Sequence, residues 1–236
     1  MTFEALASSS HGNVYIVSDA NTRILLECGV SYKKLKQLCD FGTADMAACL
    51  ISHEHKDHSA CTKDLIAAGM PVYMSSGTAE ALEMDGAALD AALCAEHGKQ
   101  LSIGTIDIVP FTTFHDAKEP LGFLLRSRED GDVLVFATDT VNLQYRFPGE
   151  NILAIEANYD KYILERSERP EKVKKRIQNT HMEIDVLCDY LRKLDLSSCR
   201  EIYLLHLSDG TSHEGHFINK VLRAVPPGIR VTACAK

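Results

Sequence analysis

The sequence lacks the features that mark membrane and exported proteins. No apolar run is long enough for a transmembrane helix, and the first residues, MTFEALASSS, lack the basic and then apolar build of a signal peptide. The eight cysteines contain no CxxC pair, so we expect reduced, mostly buried thiols. These absences predict a cytoplasmic protein without membrane association.

Positive charge is scarce overall but concentrated in one segment. The chain has 25 Lys and Arg against 33 Asp and Glu, a net charge of −8, which argues against a broad nonspecific nucleic-acid surface. Between Lys161 and Arg176, however, seven basic residues accompany three Glu. This local excess is a candidate contact for a phosphate backbone, with a solvated helix face as the alternative.

Strand and helix patterns alternate along the chain. Strands are predicted at 14–17, 23–27, 47–52, 71–74, 99–103, 106–112, 121–127, 132–137, 152–156, 201–206 and 229–233. Helices are predicted at about 31–41, 58–68, 76–97 with a break near 85–86, 159–167, 171–178, 182–194 and 212–224. Because the chain shows no internal repeat, low-complexity tract or linker, residues 1–236 are predicted to form one domain of αβ layers.

The stretch SHEHKDHS, residues 52–59, follows an apolar run and gathers three histidines and an aspartate. Residues two apart that leave a strand point the same way, so His53 and His55 can bind one ion. Asp57 and His58, at the start of the next predicted helix, can reach a second ion. Imidazole and carboxylate ligands suit zinc or manganese. A solvated, histidine-rich loop is the alternative interpretation.

Three later ligand-type residues also follow β-rich runs. His115 comes after 106–112, Asp139 after 132–137, and His206 ends 201–206. Each alone is more often an ordinary polar residue at a strand end. Their common placement predicts that they complete a metal site with the SHEHKDHS stretch.

In this order, HxHxDH followed by His115, Asp139 and His206 resembles the metallo-β-lactamase-fold hydrolases. Longer segments resemble the YycJ/WalJ-type branch of that superfamily. SSSHGN (8–13) is similar to its SSSSGN, LECG (26–29) to its IDCG, and FHDAKEPLGF (114–123) to its FxHDAxxPxGF. ATDT (137–140), EANYD (156–160) and HLS (206–208) match in order. The resemblance covers nearly the whole chain.

The resemblance implies an α/β fold, a four-layer αββα sandwich in which two mixed β-sheets are flanked by helices. It also implies two divalent ions, Zn²⁺ or Mn²⁺. His53, His55 and His115 would hold one ion, Asp57, His58 and His206 the other, and Asp139 would bridge them. Asn13 and Asn158, within matched segments, are expected to support ligands or contact substrate.

The activity implied is that of a binuclear metal-dependent phosphodiesterase, with a DNA exonuclease favoured. Its attacking group would be a hydroxide that bridges the metals, oriented by Asp57. The 66 residues between Asp139 and His206 leave no room for the cap domain of the related RNA-processing branch. One alternative is a phosphodiesterase of small or cyclic nucleotides. Another is a non-catalytic binding module with a degenerate metal site.

The sequence departs from the family pattern at three positions. Glu27 replaces the Asp before CysGly, and His11 replaces the fourth Ser, where it is either a polar group near the site or a surface residue. THME (180–183) replaces a GHLSN-like segment, so that only His181 is retained. Thr180 and Glu183 have capping-box spacing, which predicts His181 in a first helical turn, where it would bind phosphate or protonate a leaving oxygen. The alternative is a surface histidine.

Overall fold

The computed structural model describes residues 1–40, 42–84, 86 and 92–234. Its strands form two sheets. The first sheet contains Thr2–Ser9 (β1), Gly12–Ser18 (β2), Arg23–Leu26 (β3), Ala48–Leu50 (β4), Val72–Met74 (β5) and Ala92–Cys94 (β6), paired in that order. The second contains Leu101–Ile103 (β7), Ile106–Thr112 (β8), Leu121–Ser127 (β9), Val133–Ala137 (β10), Ile152–Glu156 (β11), Glu201–Leu205 (β12) and Arg230–Ala233 (β13), again neighbours in chain order.

Both sheets are mixed and follow the same plan. Each begins with antiparallel pairs and ends with parallel pairs, the change coming at β3 in the first sheet and at β10 in the second. In a parallel run, consecutive strands have their carboxyl ends at the same edge. Polar residues that follow those strands are therefore brought together.

The structure describes eight α-helices, several of which pack on the outer faces of the sheets. They are Tyr32–Leu38 (α1), Lys56–Ser59 (α2), Thr62–Ala67 (α3), Ser76–Ala81 (α4), Lys161–Arg166 (α5), Glu171–Thr180 (α6), Ile184–Leu191 (α7) and Glu214–Leu222 (α8). A 3₁₀ turn spans Gly42–Asp45. Across the described ranges, no helix has both the length and the apolar composition needed to span a membrane.

Alternating side chains of β2 explain the layering. Tyr15 and Val17 pack into an apolar cluster shared by the two sheets, whereas Val14 and Ile16 pack into a second cluster with Leu35 of α1. A third cluster joins the other face of the second sheet to α7 and α8. Three clusters between four layers confirm the predicted αββα sandwich.

The predicted elements were wrong in several places. The first strand, β1, was not predicted; it pairs with β2 across a bulge between Ala5 and Ala7. Within the predicted helix 76–97, α4 ends at Ala81, and Ala92–Cys94 is a strand paired with β5. Pairing with a neighbouring strand outweighs the helix propensity of alanine there. The predicted helix break at 85–86 involves Asp85, which lies outside the described residues.

Candidate metal centre

The candidate centre lies at the carboxyl-end edge of both sheets. The His53–His58 segment follows β4 of the first sheet. His115, Asp139 and His206 follow β8, β10 and β12 of the second. The structure thus brings together all seven residues that the sequence predicts as metal ligands.

One group consists of His53, His55 and His115. Their candidate ligand atoms all lie within 4.8 Å of one another. The Nε2 atom of His115 is 3.1 Å from the Nδ1 atom of His55. This is the set expected to hold one ion.

The second group consists of Asp57, His58 and His206, whose candidate ligand atoms likewise lie within 4.8 Å of one another. The Oδ2 atom of Asp57 is 3.2 Å from His206 Nε2 and 3.5 Å from His58 Nε2. This is the set expected to hold the other ion.

Asp139 lies between the two groups and divides its carboxylate between them. Its Oδ2 atom is 3.5 Å from His115 Nε2 and 4.0 Å from His53 Nε2. Its Oδ1 atom is 3.4 Å from His58 Nε2 and 3.7 Å from His206 Nε2. With one oxygen toward each group, this carboxylate could be shared by two ions.

The donor set fits divalent cations. His53 is 1% exposed, its Nδ1 atom contacts the Ser52 hydroxyl at 2.8 Å, and its Nε2 atom has no hydrogen-bond partner among the described residues. A buried nitrogen without a partner is costly unless something binds it. Because Nε2 faces Asp139, a cation between them would satisfy both atoms.

Further residues orient the ligand histidines from behind. The Nδ1–H of His115 donates to the Thr180 carbonyl at 2.7 Å, which leaves Nε2 for a metal. The Asn158 Nδ2 atom lies 3.0 Å from His206 Nδ1 and donates to the His206 carbonyl at 2.9 Å. Asn13 is fully buried and its Nδ2 donates to the Asp57 carbonyl at 3.1 Å. Both asparagines therefore lie next to predicted ligands, Asp57 and His206.

Glu27 reaches the centre from the far side of His58. It is fully buried, its Oε2 atom lies 3.7 Å from His58 Nδ1, and both oxygens accept from the Ser52 amide at 3.3 Å. Burial raises the pKa of Glu27, although contacts with His58 oppose the rise. The longer side chain of this family departure still contacts a ligand histidine.

Carboxylates and imidazoles in the centre lie close together and shift each other's pKa. Burial disfavours ionisation of Asp57, yet contacts with His206 and His58 lower its pKa well below the usual range. Asp139 behaves alike, since His206 and His58 outweigh its burial and lower its pKa. Burial and the neighbouring His58 lower the pKa of His53, so its imidazole is neutral and ready to bind a metal.

The predicted position of His181 in a helix was wrong. His181 is not in a first turn; it follows the last residue of α6 in an extended conformation, and its amide donates to the Ile177 carbonyl. Helix α7 begins at Ile184 because Glu183 caps it, accepting from the amides of Asp185 and Val186. The amides of Ile184, Asp185 and Val186 at the start of α7 already donate to Tyr159 and Glu183, so the argument from the helix dipole fails.

His181 nevertheless lies at the centre, and its ring stacks on that of His206 with centroids 5.4 Å apart. Its side chain is 15% exposed, which excludes the surface alternative. The Nδ1–H donates to Glu156 Oε1 at 2.7 Å. Burial opposes a positive charge, but the Glu156 carboxylate outweighs it and raises the pKa of His181 to about 9.

Glu156 is the residue that the sequence-based site prediction missed. It ends β11, is fully buried, and its Oε2 atom accepts from the amides of Thr140 and Met182 at 2.8 and 3.1 Å. The available signal was its place as the one charged residue at the end of the apolar run ILAIE, within a segment matched to the family. Its partners come from distant parts of the chain, so the sequence could not indicate its role.

His11 lies at the surface. Its side chain is 75% exposed, and its Nδ1 atom is 3.8 Å from the Asp209 carboxylate. It shares the lining of a shallow cavity of about 290 Å³ with Asp57. A larger cleft of about 790 Å³ adjoins the His206 side, where Ser8, Ser9 and Ser208 line it. Two cavities therefore lie beside the centre, one lined by Asp57 and the other by residues that follow His206.

Left-handed backbone is concentrated at the centre. Within the described part of the chain, five residues other than glycine have positive φ, and three of them are Glu27 (63°), Asp139 (46°) and His206 (54°). Such angles aim a side chain sharply away from the strand direction. At each position the strand ends and the side chain turns into the centre.

Comparisons with known proteins identify the family of this chain. A protein-family model described as a β-lactamase superfamily domain matches residues 22–207. The chain is 30% identical over 220 residues to the exodeoxyribonuclease WalJ of Streptococcus pneumoniae, an alignment that covers 87% of this chain and 81% of that protein. It is 26% identical over 219 residues to the exodeoxyribonuclease YycJ of Bacillus anthracis, covering 87% and 82%.

A solved structure agrees with the family match. The metallo-β-lactamase-fold protein YhfI of Bacillus subtilis superposes with a TM-score of 0.75 at 15% identity, over 99% of this chain and 97% of that one. The family match spans residues 22–207, a range that contains all seven predicted ligands. The chain therefore belongs to the metallo-β-lactamase superfamily, in its YycJ/WalJ-type branch, and is a metal-dependent hydrolase.

Proposed function

We propose that this chain is a DNA exonuclease that hydrolyses phosphodiester bonds at a centre of two divalent ions, Zn²⁺ or Mn²⁺. The observation that carries the proposal is the division of the Asp139 carboxylate between two groups of three ligands. A single ion would need only one of these groups. Two such groups joined by one carboxylate favour a pair of ions.

The seven residues would hold the ions as the sequence predicts. His53, His55 and His115 would bind one, and Asp57, His58 and His206 the other, with Asp139 shared. Ions held there would polarise phosphoryl oxygens and lower the pKa of water. The Asp57 carboxylate remains ionised because of its low pKa, so it can accept a hydrogen bond from an attacking water and orient it.

His181 would supply the proton for the leaving oxygen. Its Nδ1–H is used by Glu156, so the proton available for transfer is on Nε2. A pKa near 9 keeps this imidazole protonated at neutral pH, as a general acid must be. Glu156 would stabilise that charge and fix the orientation of the ring.

DNA is proposed as the substrate because both curated relatives are named exodeoxyribonucleases and each alignment covers 87% of this chain. We place the activity in the cytoplasm, since all eight cysteines are free thiols. The net charge of −8 favours a second candidate substrate, small or cyclic nucleotides, which need no extended basic surface.

The test compares labelled single- and double-stranded DNA, RNA and cyclic nucleotides, each with Mn²⁺ or Zn²⁺. We expect mononucleotide release from DNA ends, lost in Asp57→Ala. Faster turnover of cyclic nucleotides would favour the second candidate. If the wild-type protein cleaves none of them, the phosphodiesterase proposal fails.

Metal analysis separates the enzyme from a non-catalytic binding module. The enzyme should be purified with, or reconstituted to, about two ions per chain. A chain that binds no ion would instead support a degenerate site.

A further inference from the structure

Helix α6 is fixed to the centre at its carboxyl end. The carbonyl of Thr180, its last residue, accepts from His115 Nδ1 at 2.7 Å. One turn earlier, the carbonyl of Arg176 accepts from the Thr180 hydroxyl at 2.8 Å. The backbone of Arg176 therefore has a fixed position relative to a predicted metal ligand.

Asp116 fixes the side chain of the same arginine. Its Oδ1 atom lies 3.2 Å from His115 Nε2, and its Oδ2 atom accepts from Arg176 Nε at 2.9 Å. A single carboxylate thus separates the guanidinium group from the centre. Asp116 therefore holds the guanidinium group beside the centre, on the side of His115.

The rest of the guanidinium group is available to a ligand. Its Nε atom donates to Asp116, and neither Nη atom forms a hydrogen bond with any residue that the structure describes. The side chain is 61% exposed. The guanidinium group is planar: its Nε atom is held by Asp116, while its two Nη atoms keep free N–H donors. This geometry suits an anion that offers two oxygens, such as a phosphate.

Other cations of the basic segment are used elsewhere or lie free at the surface. Lys174 donates to the Glu165 carbonyl at 2.7 Å, and Arg169 donates to the Asp209 carbonyl. Lys161 lies over the ring of Tyr162, 5.0 Å from its centroid. In the described part of this segment, Arg176 is the cation that contacts a neighbour of a predicted ligand.

We propose that Arg176, oriented by Asp116, binds a phosphate of the substrate adjacent to the one that is hydrolysed. This inference rests on the proposed phosphodiesterase function and adds a specificity determinant to it. Substrates with a second phosphate beside the scissile bond would be preferred over simple diesters. The phosphate could belong to an internal linkage or to a phosphorylated strand end, which the substrates below distinguish.

The test combines Arg176→Ala with DNA oligonucleotides that carry one neutral methylphosphonate linkage, placed at each position in turn. We expect Arg176→Ala to lower kcat/KM about tenfold on unmodified DNA, mainly through KM. Neutralising the contacted phosphate should cost the wild-type enzyme a similar factor. The two changes together should cost no more than either alone, because they remove the same interaction.

Matched variants and substrates complete the design. Arg192→Ala removes another exposed arginine paired with an aspartate, Asp189, and should leave kcat/KM within twofold. Arg176→Lys should recover part of the loss, and Asp116→Asn should raise KM while the ion content stays at two. Oligonucleotides with and without a terminal phosphate show whether the contacted group is at the end.

The inference would be overturned if the losses of kcat/KM from Arg176→Ala and from a neutral linkage multiplied at every position, because the two changes would then act independently. A loss in Arg192→Ala equal to that in Arg176→Ala would also overturn it. If wild-type enzyme cleaves neither DNA nor bis(p-nitrophenyl) phosphate, the proposed function itself fails. Cleavage of both with no deficit in Arg176→Ala would refute the role of Arg176 alone.

Discussion

The two sheets contribute to the centre in different ways. The first sheet supplies four of the seven predicted ligands from one short segment, His53 to His58, which follows β4 and enters α2. The second supplies His115, Asp139 and His206 from the ends of three strands. It also supplies Glu156, which contacts His181.

The first half of the centre, supplied by the first sheet, is set by local sequence. The second half, supplied by the second sheet, depends on the tertiary fold. Spacing in one short segment at the end of β4 and the start of α2 fixes which side chains of 53–58 meet. The second half exists only because strands far apart in sequence end at the same edge. Of the seven predicted ligands only Asp139 faces both ion groups, so a substitution there should affect both, whereas a change at any other predicted ligand should affect one.

The largest effect is expected for Asp139→Ala, which removes the carboxylate shared by the two groups. We expect kcat/KM for DNA to fall at least about thousandfold, because several kcal/mol of transition-state stabilisation depends on both ions. Ion content measured by mass spectrometry should fall below two per chain. Asp64→Ala, an exposed aspartate of α3, is the control. Full activity in Asp139→Ala would contradict a shared ligand.

The next largest effect is expected for His181, the proposed general acid, which contacts Glu156 at the end of a second-sheet strand. Since the pKa of His181 is raised to about 9, its imidazole is protonated below that pH, and activity should decline as pH rises through about 9. Glu156→Gln removes the carboxylate that raises this pKa, so the decline should move to lower pH and kcat should fall about a hundredfold. A pH–rate profile measures both. An unchanged profile at unchanged ion content would exclude His181 as the acid.

A smaller effect is expected for residues that contact predicted ligand histidines from behind, one residue in each half of the centre. Glu27→Gln alters the contact behind His58, and Asn158→Ala the contact behind His206. Both histidines belong to one predicted ion group, so each change should weaken the same ion by about 10- to 100-fold. Chelator competition measures the affinity, with the exposed Glu4→Gln as control. Loss of the other ion would show that the groups are assigned wrongly.

The smallest effect contrasts two carboxylates of one strand region. Glu156 at the end of β11 is fully hydrogen-bonded, whereas Glu150 before its start is 1% exposed and has no partner for either oxygen within the described residues. Burial raises the pKa of Glu150, so ionisation in the folded state costs stability at pH values above the unfolded pKa.

Glu150→Gln should therefore raise Tm at pH 7 by about 2 °C and much less near pH 4, where the carboxyl is protonated in both states. Thermal melts at several pH values measure this. The exposed Glu129→Gln should change little. A Tm that falls at pH 7 would show that the buried charge is stabilised.

The sequence was sufficient for features that depend on local spacing or on the joint order of motifs. The segment 53–58, the three later strand-end residues and the layered fold were all predicted from it. Features set by distant pairing were not. Thr180 has the spacing of a capping residue, yet Glu183 caps the next helix; Ala92–Cys94 has helical composition, yet pairs as a strand. The partners of Glu156 likewise exist only after folding.

The left-handed backbone at Glu27, Asp139 and His206 has a cost in local stability. For a residue with a Cβ, this conformation costs roughly 1 kcal/mol, and glycine would avoid it. The contacts that these buried side chains make in the centre offset that cost, so the strained backbone is kept where the centre needs the side chain.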